Sequence, residues 1–261
     1  MEQKFLYVDG EVLWAGIRKA SSRSEEPILC LIKPGAIRFV ALSGMRMVVS
    51  WEAKLRRPAS GSLAFTIPPT VADLLSSEVI RSQADVIITL GGGGDLILRL
   101  TDRLGSYEIR WQSDLATFPA PGGFGKLIEV PQTLVDVPYL KICDAAHRAV
   151  AKLARLESEG QVDRTKLAIL ITLDFGRLSI NGQEIIGTGS SRFFFDPRLV
   201  IRALEFAKAQ TICVGITPLT RERQACMSLL AEQEGWTVHC SLVSIGMDTQ
   251  KLYPLPPGRN Q

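Results

Sequence analysis

FTIPPTVADLL at Phe65–Leu75 and FFFDPRLVIRALEF at Phe193–Phe206 decide the fold when they are set side by side. Each is a short run of bulky apolar residues that meets a proline and continues as a helix. Proline suits a first helical position, because the N–H it lacks would have no partner there. In the first stretch and just beyond it Val71, Leu74, Leu75 and Val79 recur at helical spacing. Pro69 and Pro197 lie 128 positions apart, and the helix starts expected near Val12 and Val137 lie 125 apart. Two separate landmarks with nearly the same offset indicate a duplicated module, and an internal repeat constrains architecture more than any single motif.

KFLYVDG at the N-terminal end reads as a strand. EVLWAGIRKASSR follows as a helix with Leu13, Gly16, Ile17 and Ala20 on one side and Asp9 as its N-cap. PILCLIKPG and AIRFVALSGMRMVVSW are β-rich runs broken by turn signals at Pro34-Gly35 and Ser43-Gly44. ADVIITLGGGGDLILRLTD reads as a hairpin and GSYEIRW as a further strand, which gives the order β-α-β-β-β-α-β-β-β. Residues 113–136 differ in character: Pro119, Pro121 and Pro131 with nearby glycines make an extended, semi-rigid connector. The pattern then begins again. VPYLKICDAAHRAVAKLARLES is a long amphipathic helix, and TKLAILITLDFGRLSING is a strand pair closing on an Asn181-Gly182 turn. TICVGITP, QACMSLLAEQEG and WTVHCSLVSIG read as strands or hairpins. The expected fold is α+β: two tandem modules, at 1–112 and 137–261, each with two helices packed on antiparallel sheet.

Composition sets bounds on function. Thirty Lys and Arg against 27 Asp and Glu leave a net charge of +3, too small to identify a polyanion-binding protein by itself, so the placement of the positive charges matters. Five cysteines without CxxC spacing suit reduced thiols, and no signal peptide or membrane span is visible, so a cytoplasmic protein is expected. His147 and His239 offer no zinc-ligand spacing.

Chemistry-bearing motifs do not assemble. Gly91–Gly94 could suggest a phosphate loop, but a strand follows where a helix N-terminus is needed. Asp174-Phe175-Gly176 matches the kinase metal triplet without its companion motifs. Ser190 and Ser191 lack a nucleophile elbow. His147 and Asp144 read as a surface pair, while His239 and Cys240 alternate along a strand and face opposite ways. No catalytic residue, cofactor or metal is expected.

The order of these segments resembles the DNA sliding clamps. KFLYVDGEVLWAGIRKASSR with PILC resembles the opening of the bacterial β clamp, and RFFFDPRLVIRALEFAKAQTICVGI resembles the clamp strand–Asp-Pro–helix–strand unit. The connector with Phe118, Pro119, Phe124 and Lys126-Leu127-Ile128 resembles the interdomain connector. KLYPLPP at Lys251–Pro257 resembles the tail of the proliferating-cell-nuclear-antigen clamps. ALSG at 41–44 departs from the family's Asp-containing turn. Bacterial β clamps carry three such domains per chain and this chain has two. The six-domain ring of the family therefore implies a homotrimer, a processivity factor that encircles duplex DNA and tethers a polymerase or another DNA enzyme. A clamp loader is a further partner that the resemblance allows. The alternative is a clamp-fold scaffold in a repair or defence complex that does not encircle DNA.

A clamp needs positive charge on the solvent face of its helices, where phosphate neutralisation is independent of sequence and permits sliding. Lys141, Arg148, Lys152 and Arg155, spaced 7, 4 and 3 apart, form one stripe of the long helix. Ile142, Ala146, Val150 and Leu153 form a separate apolar stripe. Arg198 and Arg202 share a face of the next helix, with Lys208 near its end; Arg18 and Lys19 belong to the first helix, with Arg23 just beyond it. The second helix, with Asp73, Glu78 and only Arg81, has no basic stripe. A partner peptide is expected to dock on Leu127, Ile128 and Val130 beside Leu252, Tyr253, Pro254 and Leu255. Met45 and Met47 are expected in the core.

Overall fold

A computed structural model describes residues 4–21, 26–43, 46–76, 85–91, 94–102, 105–115, 118, 129–132, 134–160, 169–174, 177–180, 183–186, 191–219 and 224–244. Contacts divide the chain into two compact units: Met1–Ile128 with Glu232–His239, and Glu129–Ala231 with Cys240–Gln261.

The first half of the chain runs β1 (Lys4–Asp9), α1 (Gly10–Ser21), β2 (Ile28–Lys33), β3 (Ala36–Leu42), β4 (Met47–Lys54), β5 (Leu63–Ile67), α2 (Pro69–Ser76), β6 (Asp85–Leu90), β7 (Asp95–Asp102) and β8 (Gly105–Gln112). The second half runs β9 (Val135–Pro138), α3 (Tyr139–Ser158), β10 (Ile169–Asp174), β11 (Arg177–Ile180), β12 (Gln183–Ile186), β13 (Ser191–Phe195), α4 (Pro197–Phe206), β14 (Thr211–Leu219), β15 (Gln224–Gln233) and β16 (Trp236–Val243). Strand neighbours in the first half follow the orders β1-β6-β7-β8 and β5-β2-β3-β4. Those in the second half follow β9-β14-β15-β16 and β13-β10-β11-β12. The two pairs of orders are the same once β9 replaces β1, and both helices fall at the same places. The α+β class and the tandem repeat are therefore properties of the topology, not only of the sequence.

Two details differ from the expected element order. AIRFVALSGMRMVVSW forms two paired strands, β3 and β4, so four strands separate the helices of the first half instead of three. The long helix of the second half begins at Tyr139, because Val135–Pro138 pairs as β9 with β14, Val137 opposite Ile212. Pro138 explains the boundary: the residue before a proline is biased toward extended backbone. Helix starts at Gly10 and Tyr139 are then 129 apart and those at Pro69 and Pro197 are 128 apart, a closer match than the sequence landmarks gave.

The caps and packing follow from particular residues. The Oδ1 of Asp9 accepts from the Glu11 N–H at 3.1 Å, satisfying one orphan donor at the start of α1. Leu13, Gly16, Ile17 and Ala20 are all buried, as their spacing predicts. Gly16 is required by close approach: a Cβ there would fall 2.0 Å from the Phe39 ring on β3. Met47–Trp51 of β4 are buried at five successive positions, so this strand is covered on both faces. Met47 belongs to the core as expected; Met45 lies outside the described residues. Phe65 packs against Trp111 with ring centroids 6.2 Å apart, and the Trp111 Nε1 donates to the Thr66 carbonyl at 2.7 Å.

β6 and β7 pair antiparallel, with Gly91 and Gly94 at the facing ends of the two strands. The Gly91 N–H donates to the Asp95 carbonyl at 2.8 Å, and Gly94 adopts φ +89° with its Cβ position only 2.7 Å from the Ser113 carbonyl oxygen. Only glycine meets both constraints. The start of the connector is pinned to β5, since the Thr66 N–H donates to the Ser113 Oγ at 2.9 Å, and Phe118 is buried. The Asn181-Gly182 turn lies outside the described residues, although β11 and β12 on either side of it pair antiparallel.

Candidate nucleic-acid interface

In the second unit, α3 and α4 lie against each other and bury Ile142, Ala145, Ala146, Val200, Ala203 and Leu204. Asp196 caps α4: its Oδ1 accepts from the Arg198 N–H at 2.9 Å, and Pro197 takes the first helical turn. This cap fixes where α4 begins and so which residues face outward. Between the helices runs an open groove of about 400 Å³, lined by His147 and Val150 of α3 and by Arg198, Ile201, Arg202 and Glu205 of α4. Val150, expected in the apolar stripe, is half-buried in this groove, while Ile142 and Ala146 are in the core.

Most of the basic residues expected on this pair are exposed, and Arg198 and Arg202 line the groove. Lys141, Arg148 and Arg155 are exposed on α3, Arg198 and Arg202 are exposed on α4, and Lys208 is exposed just beyond it. Arg155 also pairs with Glu159 one turn on, Nε to Oε1 at 2.8 Å. For exposed groups such a pair is weak and competes poorly with a phosphate. The Lys152 backbone is in α3, but its side chain lies outside the described residues. At the other end of the seam burial pushes the Tyr139 hydroxyl up to about 12, helped by a hydrogen bond with Cys143 and by the Glu205 carboxylate. Tyr139 therefore stays neutral at ordinary pH. Arg198 and Arg202 outnumber Glu205 along the groove, which suits a polyanion.

The equivalent pair in the first unit is different. α1 and α2 pack together, with the Ser21 and Ser76 hydroxyls 2.9 Å apart. Arg18 is exposed. Lys19 is half-buried, its Nζ 3.8 Å from the Glu234 carboxylate and 6.0 Å from the Trp236 ring centre. Arg23 lies outside the described residues. The sole ionisable residue of α2 is Asp73, and Leu74 beside it is 54% exposed.

Of the partner-docking residues, Val130 is 50% exposed; Leu127, Ile128, Leu252, Tyr253, Pro254 and Leu255 lie outside the described residues. Sequence reasoning missed the groove itself, with Ile201, Glu205 and Tyr139. The i,i+4 spacing of Ile201 and Glu205 on the helix that carries Arg198 and Arg202 was the available signal.

His147 and Asp144 are both exposed, and His239 and Cys240 are both buried in β16. Burial, with the Arg38 charge second, lowers the His239 imidazole to about 4. Among the described residues no three His, Cys, Asp or Glu side chains gather as metal ligands, and no helix is long and apolar enough to cross a membrane.

No protein-family model and no curated protein matches the chain. Solved structures do. The sliding clamp (DNA polymerase III subunit beta) of Pseudomonas aeruginosa bound to griselimycin superposes with a TM-score of 0.62 at 14% identity, covering 94% of this chain and 66% of that one. The sliding clamp of Bacillus subtilis gives 0.59 at 13% identity, covering 94% and 65%. The PCNA2–PCNA3 complex of Sulfolobus tokodaii gives 0.50 at 8% identity, covering 92% of this chain and 99% of the other. The chain thus spans about two thirds of the bacterial clamps and nearly the whole of the archaeal chain. In fold, though not in measurable sequence kinship, the chain is a two-module counterpart of the DNA sliding clamps.

Proposed function

We propose that the chain is a ring-forming processivity factor that encircles duplex DNA, without reading its sequence, and tethers a DNA polymerase or another DNA enzyme. The observation that carries this reading is the cationic, solvent-facing α3–α4 pair on a clamp fold. Exposed guanidinium groups at fixed spacing neutralise phosphates of any sequence, and such contacts exchange fast enough to let a protein slide. On this reading the modules are 1–112 and 137–261, joined by a connector at 113–136. The partner enzyme docks through a short peptide on Leu127, Ile128 and Val130 beside Leu252–Leu255. The protein itself performs no chemistry.

Two modules per chain call for three chains to supply six. Edge strands give a way to join them: β8 and β12 each end their strand order, and six of the eight residues of β8 are exposed, Tyr107 by 53%. Pairing β8 of one copy with β12 of the next is a head-to-tail contact that closes as a ring and removes open edges. Native mass is the first test, with three copies expected and a monomer refuting the ring. Retention on nicked circular but not linear DNA, lost at raised salt, is the second. A trimer held equally on both would be a non-encircling scaffold.

A further inference from the structure

Because the two halves share one topology, their helices can be compared position by position. With the 128-residue offset that aligns Pro69 with Pro197, buried Ala72 matches buried Val200 and buried Leu75 matches buried Ala203. With the 129-residue offset that aligns Gly10 with Tyr139, Leu13 matches Ile142 and Ile17 matches Ala146, all buried. The core sides agree, so the solvent sides are also in register. There the halves diverge. Arg198 and Arg202 of α4 correspond to Thr70 and Leu74 of α2, all four exposed, and Lys141 of α3 corresponds to half-buried Val12 of α1. Lys19 corresponds to Arg148, but Lys19 is half-buried near Glu234 and Trp236, whereas Arg148 is exposed. The α3 helix also runs on to Ser158 and carries Arg155, a length for which the 12-residue α1 has no counterpart.

We infer that duplex contact is concentrated on the α3–α4 pair of each copy and that the matching α1–α2 pair contributes little. The inference rests on the clamp reading above and sharpens it. A ring of three copies would then grip DNA at three cationic patches separated by three weakly charged ones, instead of at six equivalent patches. Phosphates bridge from one patch to the next, so the duplex is held at intervals. Leu74 explains why α2 cannot substitute: a half-exposed isobutyl side chain stands where α4 presents a guanidinium, and it offers a phosphate neither charge nor a hydrogen bond.

The experiment measures DNA affinity against salt for the full-length protein and four variants. Each phosphate contact contributes about 0.9 to the slope of log K against log salt concentration. Arg198→Ala with Arg202→Ala should flatten the slope by about 2 for each copy in contact, whereas Arg18→Ala should change it by less than about half a unit. Arg198→Lys with Arg202→Lys should restore the slope, since point charge is what counts. Thr70→Arg with Leu74→Arg should steepen it. If Arg18→Ala flattens the slope as much as the α4 pair does, or the α4 pair has no effect while wild-type protein still threads circular DNA, the partition is wrong and the ring reading survives. If wild-type protein shows no salt-dependent DNA association, both fail together.

Discussion

Replacing His239 with glutamine should remove about 2 kcal/mol of the protein's acid sensitivity between neutral pH and pH 5. The imidazole is 5% exposed in β16, and burial with the Arg38 charge holds it at about 4, against 6.5 for a free histidine. Arg38 is itself bonded to Glu52 on the neighbouring strand, so it cannot swing away to relieve the imidazole at no cost. The folded state therefore needs His239 neutral. As pH falls below 6.5 the unfolded chain takes up a proton that the folded chain refuses. Stability is thus full above 6.5, drops through the window from 6.5 to 4, and levels off below it. One pKa unit is worth about 1.4 kcal/mol, so the whole window costs about 3 kcal/mol and acidification to pH 5 costs about 2 kcal/mol. Urea unfolding followed by tryptophan fluorescence at pH 7.5 and pH 5.0 measures this directly. Carboxylates titrate equally in both proteins, so the difference between wild type and His239→Gln isolates the histidine. The variant will be less stable at both pH values for having an amide in an apolar place, but it should lose about 2 kcal/mol less on acidification. Equal losses in the two proteins would show that His239 is solvated or protonated in the folded state, contrary to its burial.

Two further outcomes follow from other parts of the chain. Gly16→Val drives a branched side chain into the Phe39 ring, which must move with β3; overpacking of this kind costs about 2 kcal/mol, and a thermal melt should show Tm lower by roughly 4–8 °C. Tyr253→Ala with Leu255→Ala should weaken binding of a partner peptide without altering native mass, and unchanged affinity would place the docking surface elsewhere.

The sequence carried the repeat because proline and its neighbours are positional signals. Pro69 and Pro197 mark helix starts by chemistry that tertiary context rarely overrides, and Asp9 was readable as a cap for the same reason. It did not carry β9, since the alternation of Val135, Asp136 and Val137 before Pro138 is too short to signal a strand, and its pairing with β14 is what defines it. The Ser43-Gly44 turn signal marked the break between β3 and β4, but burial at five successive positions of β4, Met47–Trp51, erases the period-2 pattern that would count it as a strand of its own. For the interface, spacing placed Arg148 and Arg155 on one exposed face and showed that α2 lacks a basic stripe. It gave Lys19 the same standing as Arg148, because the groups that Lys19 approaches, Glu234 and Trp236, are more than two hundred positions away. The groove between α3 and α4 was equally hidden, since only packing decides which flank of each helix the other leaves uncovered.

On the ring reading proposed above, the repeated strand order carries a cost that grows with dilution. Two modules on one polypeptide meet at the high effective concentration of tethered partners, whereas modules on separate chains meet only by collision. A six-module circle assembled from two-module chains has three seams that must form by collision, where a chain of three modules would leave two. Its population therefore depends on a higher power of protein concentration, and each seam has to be stronger to give the circle the same lifetime on DNA.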